Sequence, residues 1–229
     1  MDNLINKLFP AKCIFCNKVG DIFCENCISD CDLLKKQYCI VCDRLSYQGF
    51  THKKCLKKHT PLRLYCVFEY KDKVRECIRR SKYYYKEFMA LKRLSFEGAN
   101  LAYEDGFYPK THIIIPIPAS PERMKKRGFN QVEIICRYLN GRFDLPVYKD
   151  VLFRVKHTKA QHKIGRKERF ENIRGSFAVK NSEKIKGKKI LLVDDICTTG
   201  ATFLESSKVL YESGAFEVRC FALSKKVKA

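Results

Sequence analysis

The chain has 229 residues, of which 45% are hydrophobic, and its 46 Lys and Arg against 25 Asp and Glu give a formal charge of +21. It holds no apolar run near the roughly 18–20 residues of a membrane span, and its N-terminus lacks the pattern of a secretory signal. We therefore expect a cytoplasmic protein without an integral membrane segment. The charge favours phosphates, nucleic acid or anionic lipid as partners, with an ordinary basic surface as the alternative.

The first 60 residues are rich in cysteine and turns and show little helical or strand periodicity. They hold eight of the 13 cysteines. In a chain without an export signal, close pairs of cysteines predict metal ligands rather than disulfides. Four such pairs follow one another: Cys13 with Cys16, Cys24 with Cys27, Cys39 with Cys42, and His52 with Cys55. Two pairs are enough to complete one tetrahedral zinc site.

Beyond residue 60 the pattern is one of alternating strands and helices. Apolar runs predict strands at 64–70, 112–118, 176–179, 189–193 and 218–223. Helical spacing predicts helices over 72–102 with a break near Ser81, after Gly128, and up to Leu210. This alternation favours an α/β fold with a mostly parallel sheet covered on both faces. We therefore predict a small module at residues 1–60 and an α/β domain at 61–229.

Two basic segments interrupt this alternation. The first follows the strand end IPIP at 115–118 and includes Arg123 and Arg127. We predict a strand-end loop there that binds an anionic group, the alternative being a solvated basic turn. The second, residues 154–174, has eight basic and two acidic residues, and its few apolar anchors predict a mobile, solvated loop.

The most informative segment is ILLVDDICTTGAT at 190–202. Its four leading apolar residues predict a buried strand, and open α/β sheets bind ligands at the carboxyl ends of their strands. Asp194 and Asp195 supply adjacent carboxylates suited to hydrogen bonds from vicinal hydroxyls. The threonines and Gly200, with a helix N-terminus behind them, suit a phosphate group. The alternative is a strand–turn–helix in which these residues only cap the helix.

This order closely resembles the diphosphoribose-binding signature of type I phosphoribosyltransferases. Cys197 stands where those proteins usually carry an aliphatic residue, and a small buried hydrophobic residue should substitute without loss. Three further segments are similar to ComF/ComFC competence proteins: RGFNQ at 127–131, the series Arg154, Thr158, Gln161, Arg166, Arg169, Asn172, Gly175 and Phe177, and the order Tyr70, Ile78, Lys82 and Tyr83. The resemblance extends over nearly the whole chain.

The resemblance implies a type I phosphoribosyltransferase fold that binds 5-phosphoribosyl 1-diphosphate (PRPP). Asp194 and Asp195, the catalytic candidates, would hold the ribose hydroxyls and stabilise an oxocarbenium-like transition state. Magnesium, bound largely by the pyrophosphate and ribose oxygens, would assist the departure of pyrophosphate. The implied PRPP-binding residues are Thr198, Thr199, Gly200, Ala201, Thr202, Arg123, Arg127, Lys82 and Arg166; an ordinary surface role for Lys82 and for the Arg166 segment remains open.

The paired cysteines resemble the double zinc ribbon at the front of the same family. Sequential pairing assigns Cys13, Cys16, Cys24 and Cys27 to one zinc, and Cys39, Cys42, His52 and Cys55 to another. An interleaved arrangement, a single occupied site, and the use of Cys31 or His59 as ligands remain open. A zinc whose four ligands all come from the protein is structural rather than catalytic.

The resemblance further implies a role in the uptake of single-stranded DNA during natural transformation, beside the ComFA helicase and in the cytoplasm or at the inner face of the membrane. Tyr83 to Tyr85 interleave with Lys82 and Lys86, which suits base stacking over a basic groove; helix packing is the alternative. Two other functions remain open, because a fold does not determine chemistry. One is a metabolic phosphoribosyltransferase that acts on a nucleobase or amine, and the other is a PRPP sensor without turnover.

Overall fold

The computed structural model describes residues 10–156 and 166–227. Its helices are α1 (Glu25–Ser29), α2 (Asp72–Arg80), α3 (Tyr85–Glu104), α4 (Pro121–Arg127), α5 (Val132–Phe143), α6 (Arg166–Ile173) and α7 (Ala201–Glu212). Its strands are β1 (Arg63–Glu69), β2 (His112–Pro116), β3 (Leu152–Arg154), β4 (Phe177–Val179), β5 (Lys189–Cys197) and β6 (Glu217–Lys225). Short 3-10 turns occur at Tyr47–Gly49, Lys53–Cys55 and Ser182–Lys184.

Four strands form a parallel sheet in the order β1-β6-β5-β2. In the register, Ile190 of β5 lies opposite Ile113 of β2 on one side and Val218 of β6 on the other. The predicted mostly parallel α/β sheet is thus confirmed. Because all four strands run the same way, their carboxyl ends share one edge. Strands β3 and β4 form a separate antiparallel pair that the sequence pattern did not predict.

Alternate residues of the central strand β5 pack on opposite faces of the sheet. Leu192 lies in a cluster with Phe203 and Leu210 of α7, whereas Val193 lies in a cluster with Leu94 of α3. Each of these five side chains is at most 1% exposed, and full burial of such a side chain contributes roughly 1.5–3 kcal/mol. The sheet is therefore covered on both faces, as the sequence predicted.

The cysteine-rich segment packs directly on this sheet. Phe23 belongs to the cluster on the α3 face, and Ile40 belongs to the cluster on the α7 face. The backbone N–H of Leu34 donates to the carbonyl of Val67 in β1 at 2.8 Å. The small module therefore adds apolar surface to the core of the larger domain. The predicted division at residue 60 stays a prediction.

Two predicted loops are partly helical. Residues 121–127 form α4, because Ser120 caps its N-terminus by accepting from the N–H of Arg123, Pro121 starts the first turn, and Gly128 ends it at φ 75°. In the predicted loop 154–174, Arg154 ends β3 and residues 166–173 form α6, with Ile173 buried in the core. Residues 157–165, which include Thr158 and Gln161, lie outside the described residues.

Two other predictions concern element boundaries. The long predicted helix over 72–102 breaks near Ser81, as expected, and the Ser81 hydroxyl donates to the carbonyl of Ile78 at the end of α2. Strand β5 is longer than predicted and continues through both aspartates to Cys197. Among residues 10–156 and 166–227, no helix combines the length and the apolar character that crossing a bilayer requires.

Candidate functional site

A cavity of about 370 Å³ opens where the carboxyl ends of β2 and β5 meet. The β5 side contributes Asp194, Asp195, Thr198 and Thr202, and the α4 side contributes cationic groups. The sheet topology explains this convergence, since neighbouring parallel strands end at the same edge. The cavity therefore joins two segments that lie about 70 residues apart in the sequence.

The two aspartates differ in their surroundings. Asp194 Oδ1 accepts a hydrogen bond from the backbone N–H of Asp195 at 2.8 Å. Desolvation, and then the adjacent Asp195 carboxylate, raise the pKa of Asp194 well above its ordinary value. Asp195 faces Lys82, whose Nζ lies 3.8 Å from Asp195 Oδ2, with side chains 20% and 17% exposed. One acid is thus destabilised as an anion, while the other has a cationic neighbour.

Four basic side chains surround the opposite side of the cavity: Lys82, Arg123, Arg127 and Arg154. Burial, and then the nearby charge of Arg123, lower the pKa of Arg154. The charge of Asp194 offsets part of this repulsion. The arrangement is therefore that of an anion site with several charges, as a diphosphate requires.

The loop from Thr198 to Thr202, termed the phosphate loop, joins β5 to α7. Gly200 has φ 79°, a left-handed conformation that glycine adopts without cost, and Thr199 Oγ1 accepts from the N–H of Ala201 at 3.4 Å. The N-terminus of α7, a helix of 12 residues, follows directly and favours negative charge. Thr198 and Thr202 line the cavity itself.

The buried polar atoms of the cavity lining include Arg127 Nε and Gln131 Oε1, which have no hydrogen-bond partner among the described residues. The orientation of the Gln131 amide is fixed, because Nε2 donates to the carbonyl of Ile78 at 2.9 Å and to the hydroxyl of Ser81. The Ser81 hydroxyl itself donates to Ile78, so it can only accept from Gln131. The cavity thus offers one unused donor and one unused acceptor to a ligand.

The structure brings together most of the predicted site residues. Those that line the cavity are Asp194, Asp195, Thr198, Thr202, Arg123, Arg127 and Lys82. Thr199, Gly200 and Ala201 form the turn beside it. Arg166 begins α6, but its side chain lies outside the described part of the chain. Their roles as ligands of PRPP stay predictions.

Four other polar lining residues were not assigned to the site from the sequence: Tyr70, Asn130, Gln131 and Arg154. All four occur in the motif segments that resemble the ComF/ComFC family. Their positions in these motifs were the sequence signal that could have assigned them to the site. Asn130 shows how the motif acts, because its Nδ2 donates to the carbonyl of Ile117 at 2.9 Å and holds α5 against the end of β2.

A second cleft, of about 480 Å³ and termed the aromatic cleft, adjoins the cavity and shares Lys82 and Arg127 with it. Tyr83 and Tyr84, which also line this cleft, lie in the turn between α2 and α3 and are 58% and 59% exposed. The charged groups of Lys126 and Arg127 lie 5.4 and 5.6 Å from the centre of the Tyr83 ring. The helix-packing alternative therefore does not hold for Tyr83 and Tyr84.

The metal-ligand candidates form two groups, Cys13, Cys16, Cys24 and Cys27, and Cys39, Cys42, His52 and Cys55, each with its ligand atoms within 4.8 Å of one another. A tetrahedral zinc with bonds of about 2.3 Å holds sulfur ligands about 3.8 Å apart. The Sγ atoms of Cys16 and Cys24 are 3.6 Å apart. Both groups therefore fit a zinc ion, and they match the sequential pairing.

The remaining candidates lie outside these groups. Burial raises the pKa of Cys31 to about 12, and its thiol contacts the carbonyl of Cys27 at 3.4 Å. His59 lies near Glu212 instead. In the second group, Nδ1 of His52 faces Cys42 Sγ at 3.3 Å while Nε2 lies 3.0 Å from the carbonyl of Leu45. Such a carbonyl partner orients a ligand histidine.

Comparisons with known proteins agree with this geometry. Residues 124–228 match the model of the phosphoribosyl transferase domain family. Competence protein F of Haemophilus influenzae is 28% identical over 224 residues, which cover 95% of this chain and 98% of that protein. DNA utilization protein YhgH of Salmonella typhi is 27% identical over 173 residues, 74% and 75% of the two chains. Competence protein ComFC of Streptococcus pneumoniae is 40% identical over 114 residues, 50% and 48%.

The family match covers β5 and the phosphate loop, and the match to Competence protein F extends over 95% of the chain. The chain is therefore similar to Competence protein F over nearly its whole length, and it has a type I phosphoribosyltransferase fold preceded by a cysteine-rich module that could hold zinc.

Proposed function

We propose that this chain binds PRPP with Mg²⁺ in the cavity between β2 and β5, binds single-stranded DNA in the adjoining aromatic cleft, and acts in DNA uptake during natural transformation. One observation carries the proposal. Two carboxylates and a phosphate loop on one side of the cavity face four basic side chains on the other. A ribose with a phosphate at one end and a diphosphate at the other has the matching sequence of hydroxyls and anions.

The ribose and its 5-phosphate would lie along the β5 side. Asp194 and Asp195 are adjacent acceptors for the two ring hydroxyls, and the phosphate loop leads into the positive end of α7. The unused donor of Arg127 and the other basic groups would hold the diphosphate. Magnesium would neutralise charge on the diphosphate and on the neighbouring acids, and an oxocarbenium-like ring would be stabilised by the same carboxylates.

The aromatic cleft supports the proposal for DNA. Its exposed tyrosines offer faces for stacking bases, and Lys126 and Arg127 lie close enough to hold the adjacent backbone phosphates. Relatives named for competence and DNA utilization, which match 95% and 74% of this chain, favour the same role. Because the cleft shares Lys82 and Arg127 with the cavity, DNA and PRPP would bind side by side. A cytoplasmic location beside the ComFA helicase is the setting this role requires.

Calorimetry with PRPP and Mg²⁺ tests the first part of the proposal. The double variant Asp194→Ala/Asp195→Ala should lose binding, whereas Glu122→Gln should retain it, because Glu122 lies on α4 outside the cavity lining. Equal affinity of the wild type and the double variant would contradict the assigned site. The same proteins are then assayed for pyrophosphate release with nucleobases and amines as acceptors. Release with one acceptor would establish a transferase, and binding without release favours a sensor or competence role.

Fluorescence anisotropy with a labelled single-stranded oligonucleotide tests the DNA part. Tyr83→Ala should weaken binding about tenfold, since one stacked base contributes roughly 1–3 kcal/mol. Tyr47→Ala is the matched control, because Tyr47 is 81% exposed but lies outside the aromatic cleft. Binding should fall steeply with salt. No binding of the wild type at low salt, or equal losses in the two variants, would refute this part. Transformation frequency of cells that carry Tyr83→Ala connects the cleft to DNA uptake.

A further inference from the structure

The two metal-ligand groups contain the same turn, with the sequence CIFCN at 13–17 and CIVCD at 39–43. In each turn the N–H of the fifth residue donates to the carbonyl of the first cysteine at 2.9 Å, and the fifth residue, Asn17 or Asp43, has φ 61°. The segments are termed the first knuckle (Cys13–Asn17) and the second knuckle (Cys39–Asp43). The chain therefore uses one backbone turn twice, in two different surroundings.

The second knuckle lies directly against the phosphate loop. A Cβ atom on Gly200 would lie 2.8 Å from the carbonyl oxygen of Ile40 and 3.1 Å from its Cγ1. Such distances leave no room for a side chain, so Gly200 is required here both for its left-handed conformation and for this close approach. Ile40 is 3% exposed and belongs to the same core cluster as Cys197, which precedes the loop, and Ala201, which lies within it.

A buried ion pair fixes the same contact from the other side. Lys225 Nζ lies 2.6 Å from Asp43 Oδ1, with side chains 3% and 14% exposed. Lys225 lies beside Cys197 in the sheet register, and the N–H of Lys226 donates to the carbonyl of Cys197 at 2.9 Å. The second knuckle is thereby joined to the end of β5, immediately before the phosphate loop. The first knuckle has Asn17, without a charge, where the second has Asp43.

We propose that the second knuckle positions the phosphate loop, so that a metal ion held by Cys39, Cys42, His52 and Cys55 and an anion held by the phosphate loop stabilise each other. Metal binding orders a small module that has little core of its own. The ordered knuckle then restricts the loop through Ile40 and the Asp43–Lys225 pair. Coupling of this kind is reciprocal, so a ligand in the loop must also retain the metal. The identity of that ligand as PRPP rests on the proposed function.

The repeated turn provides a matched pair of variants. Asp43→Asn gives the second knuckle the residue that the first knuckle carries at the same φ, so the turn should still form while the charge facing Lys225 is lost. Asn17→Asp makes the reverse change in the first knuckle. Hydrogen exchange of the phosphate-loop amides, measured without ligand, should be about tenfold faster in Asp43→Asn and unchanged in Asn17→Asp. Equal exchange in Asp43→Asn and the wild type would overturn the proposal.

Zinc release to a chromogenic zinc-selective chelator tests the reciprocal effect. PRPP with Mg²⁺ should slow the release of part of the bound zinc from the wild type about tenfold, and it should give little protection in Asp43→Asn. Calorimetry should show about tenfold weaker PRPP binding by Asp43→Asn, which corresponds to about 1.4 kcal/mol. PRPP binding without protection of the zinc would contradict the proposed coupling and leave the proposed function intact. If the wild type does not bind PRPP, the proposed function fails, and the exchange experiment still decides whether the second knuckle positions the loop.

Discussion

Replacement of Asp194 by Asn should stabilise the protein at neutral pH while it abolishes PRPP binding. The pKa of Asp194 is raised, first by desolvation and then by Asp195. An acid whose pKa is higher in the folded state than in the unfolded state binds its proton more tightly when folded. Its contribution to stability is therefore neutral at low pH and becomes unfavourable as pH rises above the unfolded value of about 3.9. Asparagine has the same shape, can still accept from the N–H of Asp195, and carries no charge to desolvate.

The size of the effect follows from the single proton involved. The difference in the free energy of unfolding between Asp194→Asn and the wild type should grow by no more than about 1.4 kcal/mol per pH unit. Growth should stop once pH passes the raised pKa of Asp194. For a chain of this length, each 1 kcal/mol corresponds to about 2–4 °C in the melting temperature.

Urea unfolding of both proteins between pH 5 and 8, without ligand, measures this difference. Any loss of zinc at the acid end lowers the free energy of unfolding of both proteins equally and therefore cancels in the difference. Asp150→Asn is a control of opposite sign. Hydrogen bonds from Lys184 lower the pKa of Asp150, so this variant should be less stable than the wild type by an amount that stays constant over this range. The reasoning about Asp194 is refuted if Asp194→Asn is no more stable than the wild type at pH 7, or if the difference does not change with pH.

Three further predictions concern the same site and the metal groups. Cys39→Ser and Cys13→Ser should each reduce bound zinc by about one ion per chain in elemental analysis, and unchanged stoichiometry would contradict the two-group assignment. Arg127→Met should weaken PRPP binding tenfold or more and reduce its salt dependence, because charged hydrogen bonds contribute about 1.5–3 kcal/mol; equal salt dependence argues against a phosphate contact. PRPP binding should tighten as pH rises through the raised pKa of Asp194, because binding releases a proton from this carboxyl group. Calorimetry in two buffers of different ionisation heat measures the number of protons released, and a value of zero would contradict the prediction.

The fold and the centre of the site could be predicted from the sequence because they depend on residues that follow one another in the chain. ILLVDDICTTGAT combines a buried strand, two acids and a turn, and each of these features has a physical requirement that few other sequences meet. The four ligand pairs were also accessible, since short C-x-x-C turns hold both sulfurs on one side of the backbone. Which two pairs share an ion was left open by the sequence and is given by the two groups in the structure.

Helix α4 was not predicted because the basic composition of its segment was given more weight than its capping residues. The segment 121–127 was interpreted from its four basic residues, whereas Ser120, Pro121 and Gly128 are ordinary start and stop signals of a short helix. Arg154 was not assigned because β3 has only three residues and pairs with β4 across more than 20 positions. Such a contact leaves no periodicity in the sequence.

The contact between the second knuckle and the phosphate loop could not be predicted for a similar reason. Asp43 and Lys225 are 182 positions apart, and neither lies in a motif. A lysine in a final strand and an aspartate after a cysteine pair are both unremarkable when they are considered separately. Only the tertiary structure shows that this lysine is buried and that the turn beside it restricts Gly200.

Several unfavourable electrostatic arrangements meet at the cavity between β2 and β5. Outside the cavity, the buried ammonium group of Lys225 is paired with Asp43, whereas the pKa of the buried Arg63 is lowered by burial and then by the charge of Arg219. At the cavity, Asp194 is a desolvated acid, Arg154 is a cation close to another cation, and Gln131 has an unused acceptor. A magnesium-bound diphosphate attached to a ribose would relieve the first two together, because it brings anions to the arginines and hydroxyls and a cation to the acids. Such a site lowers the stability of the free protein and increases the stabilisation that its ligand provides, so PRPP with Mg²⁺ should raise the melting temperature of the wild type far more than that of Asp194→Asn.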